Sequence, residues 1–156
     1  ELNNITPLAA NNIPQFLMHL NARSLVKNIE NIVTELTLLS NRPSIIAVSE
    51  TWALSDIDHL PIPGYTNILK ARKGKIGGGV GLYLQDKINL TCKLRPDLSL
   101  AVDCVDSIFI QLTNKKQKNI IIGAIYKPPD ADVTKFNEIL EDVLQKVSKE
   151  TLLFNG

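Results

Sequence analysis

Two short segments of this chain are apolar at successive positions, Ile45-Ile-Ala-Val48 and Ile120-Ile-Ile122. Because side chains alternate between the two faces of a β-strand, strands with these sequences have to be buried on both faces. A sheet that contains them therefore needs a packing layer on each side. We expect two helices to pack together on one face, and we expect the opposite face to need a layer that this chain does not obviously supply.

The first third of the chain predicts a βαβ unit. A strand is indicated at 16–20, an amphipathic helix at 24–39 and a second strand at 44–49, with the helix ending before Pro43. A connection of this kind joins parallel strands in the right-handed sense. Residues 1–14, which are rich in Asn, indicate a tail or linker before the first strand.

The rest of the chain predicts an antiparallel meander followed by a second helix. Short strand candidates separated by turn signals lie at 65–71, 79–85, 88–93, 105–112 and 119–126. Helical spacing returns at 132–148, where Asp132 is placed to cap the first turn, and a last strand is indicated at 151–155. Parallel and antiparallel pairing in one mixed sheet predicts an α/β fold of about six to eight strands.

The charge balance is nearly even, with 17 Lys and Arg against 16 Asp and Glu. A nucleic-acid contact therefore has to be made by a local group of basic residues. No segment approaches the roughly 18 apolar residues that span a bilayer, so we expect no membrane partner. Cys92 and Cys104 are too far apart for a CxxC pair, which favours a reducing compartment and gives them no predicted role.

Polar side chains follow three of the predicted strands at the point where each ends: Asn21, Glu50 and Tyr126. In open α/β sheets, ligands bind just outside the carboxyl ends of strands. One Glu suffices for a magnesium ion that keeps waters and phosphate oxygens as its other ligands, and a phenol can donate to a phosphate oxygen. The alternatives are that Glu50 caps or orients the loop at 51–58, that Asn21 is a turn residue, and that Tyr126 packs at the rim.

A basic cluster lies beside a glycine-rich turn and comprises Lys70, Arg72, Lys73 and Lys75. Such residues on a loop are suited to contact a phosphate backbone, although a solvated hairpin with ordinary surface charges is the simpler explanation. The triple glycine at 77–79 does not fit a nucleotide-binding motif, and it indicates a bulge or a close approach of backbone segments. His19 and His59 have no partner at metal-ligand spacing, so we assign both a structural role.

Five segments of the sequence closely resemble one known family. They are Leu20-Asn-Ala-Arg-Ser-Leu25, Ile45-Ile-Ala-Val-Ser-Glu-Thr-Trp52, Pro63-Gly-Tyr65, Gly77-Gly-Gly-Val-Gly-Leu-Tyr-Leu84 and Ala124-Ile-Tyr-Lys-Pro-Pro129. In this order they resemble the endonuclease domain of LINE-type (non-LTR) retrotransposon polyproteins. That domain belongs to the endonuclease/exonuclease/phosphatase superfamily, with the apurinic endonucleases and deoxyribonuclease I.

The resemblance implies a four-layered α/β sandwich of the deoxyribonuclease I-like fold that nicks DNA with Mg²⁺ or Mn²⁺ and so primes reverse transcription. Asn21 matches the active-site asparagine of the family, Glu50 its metal-binding glutamate and Tyr126 its active-site tyrosine. The implied partners are a DNA target site, the remainder of the endonuclease domain and a downstream reverse transcriptase domain, and the implied location is the nucleus. The candidate DNA contacts are Arg23, Arg72, Lys73 and Lys127.

The resemblance also implies that 15–156 is the N-terminal portion of the domain. In the family, the strand matching 152–154 leads into an Asp-x-Asn motif that supplies the catalytic aspartate, and this sequence contains no such motif. We therefore expect the 156 residues to be inactive alone. The alternatives are a degenerate, non-catalytic interaction module and another phosphodiesterase or phosphatase of the same superfamily.

Overall fold

The computed structural model describes residues 16–72, 74, 77–114 and 119–153, so the predicted tail at 1–14 lies outside the described residues. The described chain has a mixed α/β fold with seven strands and two α-helices, as the sequence predicts. The elements are β1 (Leu17–Asn21), α1 (Leu25–Leu38), β2 (Ile45–Ser49), β3 (Tyr65–Lys70), β4 (Val80–Gln85), β5 (Thr91–Leu94), a 3₁₀ turn (Pro96–Leu98), β6 (Asp106–Thr113), β7 (Asn119–Tyr126) and α2 (Val133–Leu153).

The predicted βαβ unit is confirmed. Strands β1 and β2 are parallel, with Asn21 opposite Ser49 at their carboxyl ends, and α1 connects them. The helix begins after Ser24, whose hydroxyl accepts a hydrogen bond from the Lys27 backbone N–H at 3.3 Å. Strand β4 pairs antiparallel with both β2 and β3, which completes a sheet of order β1-β2-β4-β3.

The prediction of one mixed sheet is wrong, because β5, β6 and β7 form a second, antiparallel sheet of order β5-β6-β7. The inner faces of the two sheets meet in an apolar core that contains Ile45 and Leu82 from the first sheet and Ile110 and Ile122 from the second. Ile45, Leu82 and Ile110 are fully buried. The layer that the sequence did not obviously supply is therefore the second half of the meander, folded over the first sheet.

The prediction that both helices share one face is also wrong. Helix α1 covers the outer face of the first sheet, where Leu25 and Leu36 pack in one cluster with Ile46 and Val48. Helix α2 covers the outer face of the second sheet, where Val143 clusters with Phe109. Each sheet has two apolar faces, so each needs one helix outside and the other sheet inside. The result is four layers in the order helix, sheet, sheet, helix.

The last predicted strand is replaced by helix. Residues 151–153 form the end of α2, and 154–155 lie outside the described residues. No Gly or Pro interrupts 133–153, so the helix continues and satisfies its own backbone hydrogen bonds, whereas a strand would need a neighbour. The predicted cap is confirmed, since Asp132 Oδ1 accepts a hydrogen bond from the Lys135 N–H at 3.0 Å. Neither helix is apolar enough over a sufficient length to cross a membrane, within the described residues.

Candidate active site

The carboxyl ends of β1 and β2 bring two of the predicted site residues into direct contact. Asn21 ends β1, Glu50 follows the last residue of β2, and the Asn21 side-chain Nδ2 donates a hydrogen bond to Glu50 Oε1 at 2.7 Å. The Asn21 Oδ1 atom accepts a bond from the Arg23 backbone N–H at 3.1 Å. Asn21 therefore has two roles. It is a turn residue, which was one interpretation of the sequence, and it is a hydrogen-bond donor to the Glu50 carboxylate.

The backbone around Glu50 is held in an unusual conformation. Glu50 has φ +54° and Trp52 also has φ +54°, in the left-handed region that side-chain-bearing residues rarely adopt. The Glu50 carbonyl accepts a hydrogen bond from the Ser24 N–H at 2.9 Å, and the Trp52 N–H donates to the Gly78 carbonyl at 2.9 Å. The carboxylate is thereby presented at the rim by a loop that is fixed on two sides.

The loop after Glu50 is capped by another acid. Asp58 accepts hydrogen bonds from the Leu54 backbone N–H and from the Ser55 hydroxyl. The bond from Ser55 and then that from Leu54 lower the pKa of Asp58 below its usual value. Asp58 thus caps the loop at 51–58, a role that the sequence had offered for Glu50, while the Glu50 side chain faces Asn21.

Tyr126 reaches the same rim from the second sheet as the last residue of β7. Burial raises the pKa of its phenol, and the negative charge of Glu50 and a hydrogen bond to that carboxylate act in the same direction. The positive charge of Arg72 lowers this pKa, and the Arg72 guanidinium carbon lies 5.2 Å from the centroid of the Tyr126 ring. The phenol is therefore a neutral hydrogen-bond donor beside the carboxylate.

A buried ion pair that the sequence did not single out lies behind Tyr126. Arg72 donates to Asp106 Oδ2 from Nε at 2.9 Å and from Nη2 at 2.6 Å. Their side chains are only 12% and 10% exposed. Asp106 is the first residue of β6 and lies opposite Tyr126 in the strand register. The signal in the sequence was a charged residue in line with the alternating apolar positions 108, 110 and 112, which face the core between the sheets.

The triple glycine at 77–79 permits a close approach of backbone segments, as predicted. Gly78 and Gly79 have φ of +70° and +80°. A Cβ atom on Gly78 would lie 2.3 Å from the Arg72 guanidinium carbon, and one on Gly79 would lie 2.4 Å from the Thr51 hydroxyl oxygen. The Gly79 N–H also donates to Asp106 Oδ2 at 2.9 Å. The glycines let this segment pack against both the Glu50 loop and the ion pair.

The predicted DNA contacts are in different environments. Arg23 is exposed and lies two residues after Asn21. Lys127 follows Tyr126 and is half-buried, and its Nζ donates to the Pro128 carbonyl at 3.1 Å. Arg72 is turned inward to Asp106, and Lys73 lies outside the described residues. Arg23 and Lys127 are thus the two described basic candidates that adjoin the rim without belonging to the buried ion pair.

The donors at the rim are hard oxygen ligands. The described residues hold no cluster of three or more His, Cys, Asp or Glu side chains that could bind a metal ion. Glu50 is the carboxylate that accepts a hydrogen bond from Asn21 and whose negative charge raises the pKa of the Tyr126 phenol. An oxygen set with one carboxylate suits Mg²⁺ or Mn²⁺, which keep several waters and take phosphate oxygens, and it does not suit Zn²⁺, which prefers nitrogen and sulfur.

Comparisons with known proteins assign no family to this geometry. No protein-family model matches the chain, and no curated protein matches it. A function for the rim therefore has to be argued from the side chains that meet there and from the sequence motifs that carry them.

Proposed function

We propose that the rim formed by Asn21, Glu50 and Tyr126 belongs to a metal-dependent DNA endonuclease, the endonuclease domain of a non-LTR retrotransposon polyprotein. The domain nicks a phosphodiester bond of the target DNA, and the nick primes reverse transcription. Its partners are the DNA target, the remainder of its own domain and a downstream reverse transcriptase domain, and it acts in the nucleus.

The observation that carries the proposal is the convergence of three side chains from three separate strand ends. Asn21 and Tyr126 are far apart in sequence and belong to different sheets, yet Asn21 donates a hydrogen bond to the Glu50 carboxylate and Tyr126 lies close enough for the charge of that carboxylate to raise the pKa of its phenol. The resemblance of the sequence motifs assigns the same three residues to one active site, without using any coordinates. This agreement supports the motif assignment independently of any match to a family model.

The three side chains suit the cleavage of a phosphodiester. A bound Mg²⁺ or Mn²⁺ would supply Lewis-acid stabilisation of the negative charge on the phosphate. Glu50 would hold the ion, and the Asn21 amide would fix the orientation of that carboxylate. The neutral Tyr126 phenol would donate a hydrogen bond to a phosphate oxygen as negative charge develops. Activation of the attacking water needs further catalytic groups; the resemblance assigns the catalytic aspartate to the Asp-x-Asn motif and general acid/base work to a later aspartate and an Asp-His pair.

A plasmid-nicking assay tests the proposal. The 156-residue chain is expected to leave supercoiled DNA intact in Mg²⁺ or Mn²⁺, because the sequence contains no Asp-x-Asn motif. A longer polypeptide that carries this motif and the rest of the domain is expected to nick the plasmid. Glu50→Ala should abolish nicking by that longer polypeptide, whereas Glu35→Ala, at an exposed position of α1, should leave the rate unchanged.

Three outcomes contradict parts of the proposal in different ways. Nicking by the 156-residue chain that Glu50→Ala removes would show that no further motif is needed. A longer polypeptide that lacks the motif and leaves DNA intact would favour the interaction module instead. A longer polypeptide that leaves DNA intact but hydrolyses a phosphomonoester, with an activity that Glu50→Ala removes, would place the chain with the phosphatases of the superfamily.

A further inference from the structure

The Arg72 guanidinium connects the buried carboxylate of Asp106 to the aromatic ring of Tyr126. It lies over the ring at 5.2 Å from the centroid, within the range of a cation–π contact. Its Nη2 atom also donates to the Cys104 carbonyl at 2.8 Å, in addition to its bonds to Asp106. Because a guanidinium is a rigid planar fork, bonds at Nε and Nη2 fix the orientation of its plane.

Asp106 is itself held in place. Its Oδ2 atom accepts bonds from Arg72 and from the Gly79 backbone N–H, and the residue is 9% exposed. As the first residue of β6 it is paired in register with Tyr126, so the two side chains leave the same face of the second sheet as neighbours. The carboxylate therefore holds Arg72 at a fixed position relative to the Tyr126 backbone.

Gly78 determines how close Arg72 can approach the loop. Any Cβ at Gly78 would lie 2.3 to 2.6 Å from three atoms of the guanidinium. The Gly78 carbonyl in turn accepts the Trp52 N–H, two residues after Glu50. Arg72 thus contacts a segment bonded to the Glu50 loop and also contacts the ring of Tyr126.

We propose that Arg72, held by Asp106, is a positioning residue for the candidate active site: its fixed guanidinium sets the plane of the Tyr126 ring and hence the direction in which the phenol meets Glu50. The inference deepens the proposed function and rests on it for its catalytic meaning. The Arg72 guanidinium is already paired with the Asp106 carboxylate. This role therefore differs from the contact with DNA phosphate that the sequence suggested for Arg72. Arg72 acts through Tyr126 and does not touch the substrate.

Fluorine NMR tests the geometry without requiring any enzymatic activity. The chain has three tyrosines, so uniform 3-fluorotyrosine labelling gives a small set of signals, and Tyr126→Phe identifies those of Tyr126. Tyr65 and Tyr83 are buried and donate to backbone carbonyls at 2.6 and 2.7 Å, so their signals report whether the fold is intact. Arg72→Ala and Asp106→Asn are expected to move the Tyr126 signal toward that of free 3-fluorotyrosine and to leave the other two in place.

Arg95→Ala is the matched control, because Arg95 is also buried and ion-paired but lies with Asp97 and Glu150. It should leave the Tyr126 signal in place. If Arg72→Ala does not fold, Arg72→Lys decides the question, since lysine keeps the charge and loses the planar fork. An unmoved Tyr126 signal in the folded variants overturns the proposal. Loss of all three tyrosine signals in every Arg72 and Asp106 variant also overturns it, because the pair would then be purely structural.

A second readout separates this proposal from the proposed function. In a longer polypeptide that nicks DNA, Arg72→Lys should lower kcat on the order of 100-fold, because a small misplacement of a reacting group has an effect of this size. It should leave KM for DNA unchanged. If that polypeptide does not nick DNA, the proposed function fails while the fluorine result still stands. If it nicks DNA but the Tyr126 signal is unmoved in Arg72→Ala, only the positioning role fails.

Discussion

At the scale of single residues, the candidate site coincides with backbone strain. Among the described residues, five that are not glycine have positive φ, and four of them surround the contact between Asn21 and Glu50: Arg23, Ser24, Glu50 and Trp52. Each such residue costs on the order of 1–3 kcal/mol and persists where the surrounding structure holds it. At Glu50, a hydrogen bond from the Ser24 N–H to the Glu50 carbonyl holds this conformation, and the carboxylate faces Asn21.

This strain predicts an inverted order of stability at Glu50. Glycine adopts a positive φ without steric cost, so Glu50→Gly should unfold with a free energy about 1 kcal/mol higher than Glu50→Ala. Both variants remove the carboxylate, so the difference isolates the backbone term. At the exposed helical position Glu35 the order should be the usual one, with the Gly variant about 0.5–1 kcal/mol less stable than the Ala variant. Urea unfolding measures all four, and an Ala variant at least as stable as Gly at position 50 would contradict the strain.

At the scale of elements, Arg95 joins the C-terminal part of α2 to the second sheet. Arg95 follows β5 and is 7% exposed, and it donates to both carboxylate oxygens of Glu150 at 2.9 and 2.7 Å. It also donates to both oxygens of Asp97. The bonds from Arg95 lower the pKa of Asp97 and of Glu150. The ion pairs of Arg95 with Asp97 and Glu150 therefore stabilise the fold while both acids are ionised.

The ion pair between Arg95 and Glu150 predicts that Glu150→Gln lowers the free energy of unfolding by an amount that depends on pH. The folded pKa of Glu150 is lowered from 4.5, so its contribution is present above that value and is lost as the pH falls through the lower folded-state pKa. Since the Glu150 side chain is 40% exposed, we expect the variant to be only about 1 kcal/mol less stable than wild type at neutral pH. The difference should shrink toward zero in acid. Glu141→Gln, at an exposed position of α2, should change stability by less than ~0.5 kcal/mol throughout, and an acid-independent Glu150 effect would contradict the stabilising role of this ion pair.

Sequence patterns predicted the elements where local chemistry determines them. The βαβ unit, the Asp132 cap and the strands of the meander followed from spacing and turn residues that act over a few positions, although β5 begins at Thr91 and not at 88. The strand predicted at 151–155 failed because a short apolar segment is compatible with either a strand or a helix. Without a Gly or Pro before it, the helix continued through Leu153.

At the scale of the whole molecule, the site is formed where the two sheets meet. Asn21 and Glu50 come from the first sheet and its following loop, while Tyr126 and Asp106 come from the second. The sequence predicted the three strand-end residues because each terminates a recognisable apolar strand. The pattern of apolar and turn residues predicted neither the division into two sheets, which only the resemblance implied, nor the placement of the helices on opposite outer faces, nor the Arg72–Asp106 pair. All three depend on packing between segments that are distant in sequence, and a local pattern does not show which segments meet.

The central claim is that this rim holds a divalent metal ion through Glu50, and paramagnetic NMR of the 156-residue chain with Mn²⁺ tests it most directly. Substoichiometric Mn²⁺ is expected to broaden first the backbone amide signals of Ala22 and Thr51, which adjoin Asn21 and Glu50 in sequence. Glu50→Gln should abolish this broadening and leave intact any that occurs near exposed acids elsewhere. Equal broadening of these two amides in wild type and Glu50→Gln, or none in wild type, would contradict the claim.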